Sequence, residues 1–248
     1  MSTIGIRSSF PAAAVATLLL ALPYAAVPAT AQVFVDDFND GYINPQIWTA
    51  SVYGSGVEIG EEDQRLEFGF LPDGTGSEFG ARLVSVFRMR GDFAVRVDFM
   101  LLDWPRYNGV RTAIALTDSY YDDYGMERSS LSSTEPLGEH EVYIADFGPF
   151  VLVPTEDQTG SLRLVRDGAT QTGYFYSAGQ WVPVLTDYAP TGDISIQLHA
   201  WSHDYAFKHW NVRAAFDNFT VEYGELVDLP VPTNLTSWGA IKRLYGNR

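Results

Sequence analysis

Asp92-Phe93-Ala94-Val95-Arg96-Val97-Asp98-Phe99-Met100-Leu101 is the stretch that decides the fold. Phe93, Val95, Val97 and Phe99 fall on one side of an extended chain, and Ala94, Arg96, Asp98 and Met100 on the other. This period of two belongs to a half-buried strand. It returns in Ile194, Ile196, Leu198 and Ala200, set against Ser195, Gln197, His199 and Trp201. Both runs read as antiparallel strands with one face on a core.

Working outward, strand patterning also predicts Val33 to Phe38, Ile47 to Tyr53, Arg65 to Phe70, Ala81 to Arg88, Val110 to Thr117 and Glu141 to Asp146. Ser161 to Val165, Thr172 to Tyr176, Trp181 to Thr186 and Val212 to Tyr223 follow. Asp40-Gly41, Asp73-Gly74, Asp167-Gly168, Ala178-Gly179 and Thr191-Gly192 punctuate them as turns. No long segment has helical period, so the strands must pack on one another in an all-β sandwich or barrel.

Residues 1–31 read as a secretory signal: Arg7, the apolar run Ala12 to Leu22, then Ala29-Thr30-Ala31 before Gln32. The run is too short for a transmembrane anchor, so a secreted or surface-associated protein is expected. Residues 32–224 then form one domain, and residues 225–248 a proline-containing linker with a short amphipathic tail. That tail, Thr236 to Tyr245, is the one basic segment and suits contact with a surface or a sorting partner. The formal net charge of −15 argues against nucleic acid and favours neutral ligands or divalent cations. With no cysteine, disulfides and thiol chemistry are excluded.

Asp36-Asp37-Phe38-Asn39-Asp40-Gly41 with Trp48, Gly91-Asp92-Phe93, Gly173-Tyr174-Phe175-Tyr176 before Trp181, and Phe216-Asp217-Asn218-Phe219-Thr220-Val221 carry a resemblance. The chain is similar in these segments to secreted bacterial proteins with a concanavalin A-like lectin/glucanase (laminin G-like) domain. The resemblance implies a two-sheet antiparallel jelly roll whose concave sheet is the usual ligand face. In its family 16 glycoside hydrolases one strand carries Glu-x-Asp-x-x-Glu, and this sequence lacks it. Glu58 to Asp63 lies beside a turn with Gly60 in its middle, and Glu139, Glu141 and Tyr143 alternate without a second pair of acids. Of the alginate-lyase-like pattern, only Gln197-Leu198-His199 is present.

If the alternation holds, Arg96, Asp98, Gln197, His199 and Trp201 project from the face opposite the core, and Arg111 joins them. Such a mixture suits a sugar, with Trp201 and Trp210 as stacking platforms and the polar groups for hydroxyls. Asp36, Asp37, Asp217 and Asn218, near the two ends of the domain, are candidate calcium ligands; as strand-end caps they would bind backbone amides instead. The Tyr- and Asp-rich stretch Asp118 to Arg128 reads as a loop. The expected function is carbohydrate binding or adhesion without catalysis. The alternatives are a divergent glycoside hydrolase or lyase, and a structural surface protein with no small ligand.

Overall fold

The computed structural model describes residues 34–71, 77–118 and 123–229. The signal-peptide reading and nearly all of the linker and tail reading lie outside those residues. Among the described residues fifteen strands, numbered in chain order, make two antiparallel sheets. The first runs β13 (Gln180–Tyr188), β12 (Thr170–Ser177), β11 (Thr159–Asp167), β6 (Arg88–Asp103), β15 (Val212–Val227), β4 (Arg65–Phe70), β3 (Val57–Glu62), with β1 (Phe34–Asp36) added to β15. The second runs β10 (Phe150–Pro154), β9 (His140–Asp146), β8 (Asp123–Leu131), β7 (Arg111–Thr117), β14 (Ser195–His203), β5 (Glu78–Ser85), β2 (Trp48–Tyr53).

The predicted core is borne out, because Phe93, Val95, Val97, Ile194, Ile196 and Leu198 are all fully buried between the sheets. Each such side chain contributes about 1.5–3 kcal/mol on leaving water. Three strands escape the sequence reading: β3, β8 and β10. Gly60 does not break β3, and the predicted loop after Asp118 re-enters the sheet as β8. The last strand also passes the predicted domain boundary at residue 224, since Glu225, Leu226 and Val227 still pair with Arg90, Met89 and Arg88.

The first and last strands meet, with Phe34 opposite Val221 and Asp36 opposite Phe219. Trp48 locks this closure: its ring packs edge-on against Phe219 at 5.1 Å, and its indole N–H donates to Asp36 Oδ2 at 2.7 Å. Inside the sandwich Arg128 and Glu141 form a buried ion pair at 2.8 Å. Glu141 also accepts from the Tyr107 amide at 3.0 Å, Ser130 Oγ at 2.5 Å and Trp104 Nε1 at 3.2 Å. Glu141 and Tyr143 thus share a face, but it is the inward one, and Glu141 pins the segment before β7 instead of meeting solvent.

Candidate functional site

The predicted ligand face divides in two. Arg96 and Asp98 stand on β6 of the first sheet, whereas Gln197, His199 and Trp201 stand on β14 and Arg111 on β7 of the second. Alternation fixed each strand's inward side correctly. It carries no information on which sheet a strand joins, so two outer faces on opposite sides of the molecule were read as one. Trp210 lies on the loop before β15 and is exposed.

On the outer face of the second sheet, strand pairing sets His199 beside Ala113 and Ala113 beside Glu127 in one cross-strand row. The neighbouring row holds Gln197, Ala115, Gly125 and Asp146. Ala113, Ala115 and Gly125 therefore make a floor of small residues between Gln197 and His199 on one side and Glu127 and Asp146 on the other. A Cβ on Gly125 would stand 2.9 Å from Ile114 O, so the close approach of β7 and β8 there requires glycine. Although they point away from the core, Gln197, His199, Glu127 and Ser129 are buried.

Glu127 accepts from Ser129 Oγ at 2.7 Å and lies 3.9 Å from Arg111, whose other nitrogen meets Glu135 at 2.5 Å. Burial pushes the Glu127 carboxyl up to about 7 against the pull of Arg111 and Ser129, and Asp146 and Glu135 add to the rise. It therefore keeps its proton to a higher pH than an ordinary carboxyl does. Asp146 is its diagonal neighbour on β9, a relation that puts Cα atoms about 7–8 Å apart.

Across the floor Tyr53 Oη and His199 Nε2 are hydrogen-bonded at 2.7 Å, and the Arg82 guanidinium lies 5.1 Å from the Tyr53 ring centre. Burial, assisted by Arg82, lowers the His199 imidazole to about 3, which keeps it neutral. Trp201 stacks on the His199 ring at 4.3 Å. Gly80, between Tyr53 and Trp201, leaves the room this arrangement needs: a Cβ there would fall 2.5 Å from Ala200 O.

Glu127, Glu135, Tyr53 and Arg82 are the residues that sequence reasoning missed. Glu127 and Glu135 fell in or next to a stretch without apolar alternation. Tyr53 closed a predicted strand whose neighbour in the sheet was unknown.

The calcium candidates are divided between other tasks. Asp36 spends its oxygens on Trp48 and on the Phe38 amide at 3.1 Å, Asp37 holds Asn39, and Asp217 accepts the Asn218 amide at 2.7 Å. Among the described residues no three His, Asp or Glu side chains gather as a metal ion requires.

No protein-family model matches the chain, and no curated protein matches it. Solved structures do. A prokaryotic β-1,3-1,4-glucanase (lichenase) from a mouse hindgut metagenome is 15% identical with a TM-score of 0.55, over 76% of this chain and 97% of that one. The Bacillus licheniformis β-glucanase is 12% identical with a TM-score of 0.56, over 77% and 98%. A Mycobacterium tuberculosis protein described as an immunostimulatory antigen and pseudo β-1,3-glucanase is 11% identical with a TM-score of 0.55, over 79% and 99%.

These likenesses define the class: a concanavalin A-like jelly roll. Several of the neighbours are named as glucanases or glycosyl hydrolases. They overturn the expectation of a binding or adhesion module without catalysis.

Proposed function

We propose that the chain is a polysaccharide-degrading enzyme that cleaves a neutral glucan on the outer face of the second sheet, with Glu127 as the proton donor. The observation that carries this reading is a shielded carboxyl held up to about 7 with a second carboxyl, Asp146, diagonally across the next strand. Glycoside hydrolysis needs that division of labour, one carboxylic acid and one carboxylate on the same face. The glycosidic C–O bond breaks as Glu127 gives its proton to the leaving oxygen. Asp146 then either attacks the anomeric carbon or takes a proton from the water that does. The site departs from a Glu-x-Asp-x-x-Glu strand: its acids come from β8 and β9, and β7 offers Arg111, Ala113 and Ala115 to the face. A net charge of −15 suits an uncharged substrate.

Reducing ends released from laminarin or mixed-linkage β-glucan test the reading. Glu127→Gln should lower turnover by about 10²–10⁴-fold, the usual worth of a general acid. Full turnover in that variant would overturn it.

The Tyr53–His199 hydrogen bond favours a second reading, β-elimination on a uronate-containing chain. There the neutral His199 imidazole would take the proton α to the carboxylate as the C–O bond β to it breaks, the Tyr53 hydroxyl would give its proton to the leaving oxygen, and Arg82 and Gln197 would face the carboxylate. Its products carry an unsaturated end that absorbs in the ultraviolet, and Tyr53→Phe would abolish their formation while sparing hydrolysis. Export directed by residues 1–31 and a calcium ion near Asp37 and Asp217 belong to the same proposal. They are supported by the signal-like composition and by the nearness of those two acids.

A further inference from the structure

We propose that the outer face of the first sheet is a second glycan site, a platform that holds a neutral polysaccharide chain on the side of the molecule opposite the cleavage face. Tyr176 on β12 and Trp181 on the edge strand β13 pair across the sheet with their rings at 5.1 Å, and Tyr176 is 43% exposed. Arg163 braces the patch: its guanidinium lies 5.4 Å from the Tyr174 ring centre and 5.6 Å from that of Trp181, while Glu222 holds its Nε at 2.7 Å. That ion pair already answers the cation. The rings are thus held in place without creating an anion site, and a ring fixed before binding costs little entropy when ligand arrives.

The platform leads into a cavity. Ser161 stands opposite Asp98 and Asp98 opposite Asp217, so the row crosses β11, β6 and β15. A cavity of about 340 Å³ opens there, lined by Asp98, Met100, Ser161, Asp217 and Asn218 among others. That volume falls within the range of small-ligand sites. Ser161 Oγ and Asn218 Nδ2 fix Asp98 at 2.6 Å and 3.1 Å, and the bulge at Asp217, with Asn218 at a φ of 52°, marks where β15 leaves regular pairing. From Trp181 to Asp217 the row spans four strand spacings, about 19 Å at ~4.8 Å each.

Aromatic faces take the C–H side of a sugar ring and carboxylates accept its hydroxyls. Arg65 also lines the cavity, but Glu67 holds it at 2.7 Å and Asp63 at 3.5 Å, so a polyanion would meet Asp98 and Asp217 in an acidic protein and the occupant is a neutral glycan. The choice of a glucan rests on the function proposed above; the platform's chemistry does not.

The full chain is incubated with insoluble β-glucan and the bound fraction measured. Tyr176→Ala with Trp181→Ala should lower retention at least tenfold and leave turnover of short soluble oligosaccharides unchanged. Trp181→Phe should keep most retention, and the catalytically impaired Glu127→Gln should bind as well as the native chain. Unchanged retention in the double variant, or no retention of the native chain on any neutral insoluble glycan, would overturn the proposal. Retention that depends on Tyr176 and Trp181 in a protein without hydrolytic activity would sink the proposed function and leave this site standing.

Discussion

Gln197, His199, Glu127 and Ser129 on the outer face of the second sheet are buried, whereas on the outer face of the first sheet the Arg96 and Asp98 side chains are 26% and 35% exposed. Both faces mix charge with aromatics. The shifts are larger under cover: Glu127 rises to about 7 and His199 falls to about 3, each driven first by burial, and on the first sheet Asp217 is also raised by burial. Asp98 instead answers Arg96 at 3.7 Å, Ser161 and Asn218 near solvent. One face is suited to moving protons and the other to holding a ligand. Desolvation separates them more than composition does.

The largest effect that could break this contrast is loss of turnover in Glu127→Gln with retention on insoluble glucan intact. Equal loss of both would mean that the faces are not independent. Next comes the interior pair. Glu141→Gln leaves Arg128 buried without its partner carboxylate, a loss worth about 3–5 kcal/mol when a buried ion pair is broken, and chemical denaturation reads it directly. A midpoint equal to that of the native chain would show that the pair is not what fixes the Trp104 to Asn108 segment.

A pH effect follows in size. Glu127 has a higher pKa folded than its ordinary 4.5, so the folded state keeps a proton that the unfolded chain releases. That contribution is complete below about pH 4.5 and is lost as pH rises through about 7, at a cost of about 3 kcal/mol. His199 acts oppositely. Its lowered value makes the folded state resist protonation, and stability is lost as pH falls from about 6.5 towards 3. Glu127→Gln should therefore remove the loss of stability between about pH 4.5 and about 7 and keep the loss towards pH 3. The smallest effect concerns calcium: melting with and without chelator should differ only if Asp37 and Asp217 hold an ion, and Asp37→Asn should remove the difference.

How much of this was legible in the sequence depends on what each strand buries. Phe93 to Phe99 and Ile194 to Ala200 put apolar residues on one face only, and their inward sides could be read from period alone. β8 could not be read that way. Its inward Met126, Arg128 and Ser130 and its outward Gly125, Glu127 and Ser129 both include polar groups, and the inward arginine is satisfied only by Glu141 on the next strand. The strand that carries the proposed acid therefore looked like a loop. The Tyr53–His199 contact was hidden for another reason: the two residues are 146 positions apart, and only the order β2-β5-β14 brings them within reach. Arg96 and His199, in contrast, looked like neighbours because period says nothing about sheet membership.

The most direct test of the central claim is kcat on a soluble neutral β-glucan from about pH 5 to about 9, for the native chain and for Glu127→Gln. In the native chain kcat should fall as pH rises through about 7, and the variant should retain at most about a hundredth of its turnover. A profile flat across that range, or a variant as active as the native chain, would contradict that claim.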